Sequence, residues 1–217
     1  MASISVAGDT SGSVTIAAPA VAGSGTLTLP VATDTLVGKA TTDTLTNKSI
    51  AATQLTGTIA AAALPAGSVL QVVSTTKTDT FTSTTTSAWT DITGLTVSIT
   101  PRSTSNKILV KFNITAMHPT DNAYVRLVRD ATPICIGDAA SNRKQVSAAN
   151  FLNSLGGAAM SSGSNIYLDS PSSVSAITYK MQFWALTGIF VNRSSVDTDS
   201  AVYARSVSSI TVQEIAG

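Results

Sequence analysis

From Val69 onward, polar and apolar residues alternate with period two in one short segment after another. "TDTFTS" (78–83), "KILVKFNITA" (107–116) and "AYVRLVRD" (123–130) show it most clearly. Successive side chains of a strand point to opposite faces, so this pattern predicts half-buried β-strands. Further strands are expected at "SVLQVV" (68–73), "AWTDI" (88–92), "LTVSIT" (95–100), "TPICIG" (132–137), "SNIYLD" (164–169), "SAITYKMQFWAL" (175–186), "GIFVN" (188–192), "AVYARS" (201–206) and "SITVQEI" (209–215). Gly94 breaks one pair of these segments, and the two-residue link Asp130-Ala131 predicts a hairpin. Strands at this spacing, separated by Ser, Gly, Asn and Pro, predict an antiparallel β-sandwich of jelly-roll type. The stretch 142–164 reads as a long loop with one helical turn at Ala148–Leu155.

Alternation also assigns faces. In 123–130 it puts Tyr124, Arg126 and Val128 on one side, and Val125, Leu127 and Arg129 on the other. Phe183 and Trp184 are adjacent in a strand, so one of them must leave the core of its own sheet. That ring either packs against another subunit or reaches a ligand, and subunit packing is the favoured of the two.

The N-terminal part is thinner. "SVTIAA" (13–18) and "TLTLPV" (26–31) alternate, with the turn-like "AVAGSG" between them. Leu36, Leu45, Ile50, Leu55, Ile59 and Leu64 then recur among small polar residues, and the tetrapeptide "TDTL" occurs twice. Residues 1–68 contain no Phe, Tyr, Trp, Arg or Glu, and all eleven aromatics fall between Phe81 and Tyr203. Buried aromatics supply much of a core's apolar area, so this segment lacks the means to build a thick core alone. Two readings stand: a flexible Thr/Ser/Ala linker, or a ribbon that three copies wrap around one axis. The regular spacing favours the trimer, with Leu27, Leu29, Leu36, Leu45, Ile50 and Leu55 in its core. "TNKSIAATQLTGTIAAAALP" (46–65) allows a helical turn or two before Pro65. The expected organisation is 1–38 as an N-terminal β-ribbon module, 39–67 as a thin linking segment and 68–217 as the C-terminal β-sandwich.

Composition narrows the function. The 217-residue chain is 12% charged with a formal net charge of +1 and 43% hydrophobic, the balance of a folded protein. No Lys/Arg run exists, which argues against nucleic acid as a partner. The N-terminus has neither a basic region nor an apolar core like that of a signal peptide. Residues 49–76 carry no charge, but polar residues interrupt them before a span of about 18 apolar residues is reached, so no membrane insertion is expected.

Chemistry is sparse. Cys135 is the lone cysteine and reads as a small strand residue. His118, the one histidine, stands in the polar turn "MHPTDN", where an exposed loop position is expected. A single histidine excludes a multi-histidine metal site. No "GxSxG" elbow supports a Ser-His-Asp triad. Asp197 and Asp199 lack EF-hand spacing and read as a solvated loop, with calcium as the other possibility. Glu214 has no carboxylate partner in the sequence for glycoside hydrolysis. "SLGGAAMSSG" lacks the lysine of a phosphate loop, and the sequons at Asn47, Asn113 and Asn192 read as chance. No enzyme activity, cofactor or metal is expected.

Some segments carry a resemblance. "SGSVTIAAPAVAGSGTLTLPVATDTLVG" (11–38) resembles N-terminal modules of bacteriophage tail-fibre and appendage proteins. "TTDTLTNKSI" (41–50) is similar to the "TLTNK" segment of their shafts. Residues 64–114 resemble the opening of β-sandwich head domains in phage structural proteins, especially of marine and cyanobacterial phages. The resemblance spans roughly residues 11–130. It implies a homotrimer on the phage particle surface, held by its N-terminal part to tail, baseplate or capsid proteins and ending in a distal knob. Host-surface glycan or lipopolysaccharide is the partner expected of such a knob. The contact candidates are His118, Asn122, Arg143, Trp184 and Arg193, on or near loops 117–122, 141–164 and 192–200, because loops on a rigid scaffold usually carry recognition. The initial Met is read as the start of a complete chain, short for a receptor fibre. This brings in the other reading, a head fibre, decoration or baseplate structural protein with no host ligand.

Overall fold

The computed structural model describes residues 3–7, 10–17, 49–51, 53, 56, 57, 59–118, 123–149, 151 and 157–217. The chain divides into two compact units, Met1–Thr56 and Gly57–Gly217.

In the first unit, β1 (Ser3–Ala7) pairs antiparallel with β2 (Ser13–Ala17), with Ile4 opposite Ile16 and Val6 opposite Val14. The strand β2 was expected. β1, "SISVA", carries the same alternation in a run too short to stand out. The expected strand "TLTLPV" and the axis residues Leu27, Leu29, Leu36, Leu45 and Leu55 lie outside the described residues. Ile50 is described and is 46% exposed.

The second unit is mainly β, and its two sheets are antiparallel, as a β-sandwich requires. Its strands are β3 (Val69–Lys77), β4 (Phe81–Ser83), β5 (Thr90–Ile99), β6 (Lys107–Met117), β7 (Ala123–Arg129), β8 (Thr132–Ile134), β9 (Ser161–Asp169), β10 (Ile177–Ala185), β11 (Ile189–Val191) and β12 (Ser208–Ile215). One sheet has the order β5-β10-β7-β8. The other runs β3-β12-β6-β11-β4, with β9 also paired to β6. Alternate residues turn inward and share one core. Ile108, Val110, Phe112 and Ile114 of β6 and Ile210 and Val212 of β12 come from the larger sheet, and Val125 and Leu127 of β7 and Tyr179, Met181 and Phe183 of β10 from the smaller. Such sites are closely packed, so truncating Ile114 or Leu127 to Ala costs about 2–5 kcal/mol.

Three details differ from the sequence expectation. "AWTDI" and "LTVSIT" form the single strand β5, which bulges at Gly94, at φ +84°. A Cβ there would come 3.2 Å from Lys77 Nζ. "AVYARS" is not a strand: residues 201–206 turn, and only Arg205 bridges Arg193. Neighbouring β11 stops at Val191, which leaves that backbone no ladder to join. Ala148 forms a bridge to Val125, and most of the helical turn expected at Ala148–Leu155 lies outside the described residues. Residues Ala61–Ala63 form a short 3-10 turn. The second unit also reaches back before residue 68. Gly67 N–H donates to the Ala216 carbonyl (2.8 Å) and Ala216 N–H to the Ser68 carbonyl (2.9 Å), tying this segment to the last strand's end.

Two buried carboxylates sit where the sheets need them. Asp169 of β9, 3% exposed, accepts two bonds from Arg129 Nη1 (2.8 and 2.9 Å) and one from the Tyr179 hydroxyl (2.7 Å). Arg129 and Tyr179 belong to the other sheet, so this cluster links the two across the core. Burial, and then the bond to Asp169, push the Tyr179 hydroxyl well above its ordinary range. Glu214 of β12 is fully buried and accepts bonds of 2.6 Å each from Gln71 Nε2, the Arg102 backbone N–H and Asn106 Nδ2. Burial works against its ionisation, but these three donors outweigh it and hold the carboxyl below its ordinary value.

Candidate functional site: the outer face of the four-stranded sheet

Register brings the outward residues of three strands together. In the β7–β10 pairing, Tyr124 lies opposite Trp184 and Arg126 opposite Gln182; in the β5–β10 pairing, Asp91 lies opposite Gln182 and Thr96 opposite Lys180. Paired residues share a face, so Tyr124, Trp184, Arg126, Gln182, Asp91 and Lys180 all face away from the core. The core neighbours confirm the alternation: Ala123, Val125, Phe183 and Ala185 are fully buried.

The outward side chains form a connected array. Tyr124 and Trp184 stack with centroids 5.8 Å apart and planes at 27°. Lys144 Nζ lies 5.0 Å from the Trp184 ring centroid, and the Arg126 guanidinium lies 4.1 Å from the Trp89 ring. A cation over an indole face at such a distance is worth about 0.5–1 kcal/mol when exposed. Arg126 also donates from Nε (2.9 Å) and Nη2 (2.8 Å) to Gln182 Oε1. Gln182 Nε2 donates to Asp91 Oδ1 (2.7 Å), and Lys180 Nζ to Asp91 Oδ2 (2.8 Å). This chain fixes the rotamers of a flat surface before anything touches it. Asp91's partial burial opposes ionisation, but Lys180 and Gln182 outweigh that and hold its carboxyl low. Partial desolvation lowers the Arg126 guanidinium, which remains a cation at any physiological pH. Neither Arg126 nor Lys144 has a carboxylate partner among the described residues.

The expected contact residues fare differently. Trp184 lies in this array, with Phe183 turned into the core. Arg143 is exposed and lines an open depression of about 610 Å³ with Ala140, Ser141 and Asn142, next in sequence to Lys144. Asn122 lies outside the described residues. His118 was expected on an exposed loop, and the structure corrects this: it is fully buried. Its Nε2 sits 3.1 Å from Thr187 Oγ1, and its backbone N–H donates to the Phe151 carbonyl (3.0 Å). Phe151, itself fully buried, takes this bond, so His118 lies in the interior and not in solvent. Arg193 turns onto its own loop, donating to the Ser194 and Ser195 carbonyls (2.9 and 3.0 Å) and lying 5.0 Å from the Phe190 ring. Asp197 is gripped at both oxygens by Arg205 (2.9 and 2.7 Å), with Arg193 at 3.4 Å. Those cations occupy the carboxylate that a calcium ion would need. Cys135 falls one residue past β8, at φ +53°, and burial raises its thiol.

Trp89, Tyr124, Arg126, Lys144 and Gln182 were not among the sequence candidates. Alternation in "AYVRLVRD" put Tyr124 and Arg126 on one face, and the same period in "TYKMQFWA" is the signal that could have grouped Lys180, Gln182 and Trp184. That β7 lies beside β10, in this register, is not written in either segment.

The opposite outer face is of another kind. In the larger sheet Leu168, Leu109, Gln213 and Val72 form one cross-strand row, and Ile166, Lys111, Thr211 and Ser74 the next. Ile166 is 63% exposed, Val72 54% and Leu168 49%. No protein-family model matches this chain, and no curated protein is similar to it in sequence. Among the described residues, no helix is long and apolar enough to cross a membrane, and no three His, Cys, Asp or Glu side chains group as metal ligands.

Proposed function

We propose that the chain is a non-enzymatic, homotrimeric virion fibre protein. Its N-terminal part attaches to the phage particle, and its C-terminal, jelly-roll-like β-sandwich is a knob that adheres to the host surface. The observation that carries this reading is the division of labour between the two outer faces. An exposed aliphatic face suits packing against copies of the chain, since burying the exposed half of each such side chain is worth roughly 1 kcal/mol. A pre-ordered aromatic and cationic face suits recognition. Three knob copies on one fibre would make weak sites act together.

The aliphatic face also supports a second reading, a capsid or baseplate component whose knob packs on other virion proteins with no host ligand. Cryo-EM of the particle, with competition of the purified chain against particle adsorption, separates the two. A three-fold fibre and blocked adsorption support the fibre. A capsid-embedded position with adsorption untouched supports the decoration protein, and a monomeric mass for the purified chain sinks the trimer common to both.

A further inference from the structure

We propose that the Trp184 end of the four-stranded sheet binds an acidic polysaccharide, with Trp184 and Tyr124 as its stacking surface and Lys144 and Arg126 as the cations that meet its carboxylates. The inference rests on the adhesive reading above and gives that face its ligand class and residues.

Four features of the face point to this ligand. Tyr124 and Trp184 form a half-buried pair of stacked rings, and the C–H face of a pyranose is complementary to an aromatic ring face. Beside it, Gln182 and Arg126 present planar donor groups already locked by their mutual bonds, so little side-chain freedom is lost on binding. The charge is one-sided: Arg126 and Lys144 have no acidic partner among the described residues, while Asp91 is taken by Lys180 and Gln182. A ligand bearing carboxylates complements this, and a neutral glycan leaves it unused. Lys144 is exposed and follows directly on Arg143, which lines an open depression, so a further cation lies one residue from the site. Lys144 is exposed and long, and it covers the Trp184 ring in the free protein. It can swing from the indole onto an incoming carboxylate, uncovering the ring as it neutralises the ligand. A second copy of this chain fits the face less well, because cores of subunit contacts are depleted in charge and this patch is rich in it.

The test is titration of the purified full-length chain with polygalacturonate, and with dextran of matched length as the neutral counterpart. The Trp89→Phe variant leaves Trp184 as the one indole reporter, since the chain has two tryptophans. The expected result is saturable quenching by polygalacturonate, weakened at least tenfold between 50 and 300 mM salt, and none by dextran. By calorimetric titration of the otherwise unmodified chain, which needs no indole reporter, Lys144→Ala and Trp184→Ala should each weaken binding at least tenfold with Tm unchanged, and Trp184→Phe less. Equal binding of dextran, no binding of polygalacturonate, or affinity unaltered by Lys144→Ala overturns the proposal. So does a drop in oligomeric mass on Trp184→Ala, which would make the face a subunit contact. Binding by the purified chain is read whether or not it sits on a virion, so failure here and failure of the fibre reading are told apart.

Discussion

The two sheets of the second unit feed one core yet turn opposite characters outward. The inward residues of both are the same kind of aliphatic and aromatic side chains, selected by burial alone. Outside, β7 and β10 present Tyr124, Arg126, Lys180, Gln182 and Trp184, cross-linked by hydrogen bonds and ring contacts. β9 and β3 present Ile166, Leu168 and Val72, each about half exposed or more. A core reports only that a chain folds. Outward residues escape that requirement, so departures from ordinary surface chemistry there speak about partners.

The sharpest way to break the comparison is to charge the aliphatic face. Ile166→Asp with Leu168→Asp should weaken the proposed trimer, read by light scattering as dissociation at a higher protein concentration, whereas Trp184→Ala should leave the mass unchanged. If both behave alike, the two faces do not differ in role. Next in size is the link that holds the faces back to back. Asp169→Asn leaves Arg129 without its carboxylate inside the protein and should cost about 3–5 kcal/mol, read by denaturant unfolding.

Glu214 probes the larger sheet alone. Glu214→Gln turns an amide toward groups that donate, and should cost about 2–3 kcal/mol. Because the folded carboxyl is held below its ordinary value of 4.5, its ionised form stabilises the folded chain at neutral pH. That contribution is lost as pH falls below about 4.5 toward the lowered value, so the unmodified chain should lose stability there while Glu214→Gln loses less. The smallest effect should come from the surface pair: Lys180→Ala removes a half-exposed ion pair with Asp91 worth under about 1 kcal/mol, and less in high salt. A larger loss would mean that this aromatic and cationic face contributes to folding stability as well.

How much of this was legible beforehand follows the range of each interaction. Alternation in "KILVKFNITA" gave β6 almost to the residue, and Asp130-Ala131 gave the β7–β8 hairpin, because both are local. The Phe183-Trp184 pair announced that one ring leaves the core. "AVYARS" misled because alternation reports half-burial, not the presence of a neighbouring strand. His118 misled because polar neighbours in sequence look solvated, while its long-range backbone bond to the buried Phe151 is not local.

By itself, then, the sequence determined the strand-forming stretches, their inward and outward residues, and the contrast between an aromatic-free N-terminal part and an aromatic-bearing remainder. Those follow from side-chain periodicity and size, which act over neighbouring residues. Only the tertiary structure decided that β10 lies between β5 and β7, that Arg126 reaches Gln182 and Trp89, and that Glu214 meets Gln71, Arg102 and Asn106. These pairings join residues far apart in the chain. They are settled by which whole arrangement buries the most apolar surface while leaving no buried side-chain polar group among the described residues without a partner.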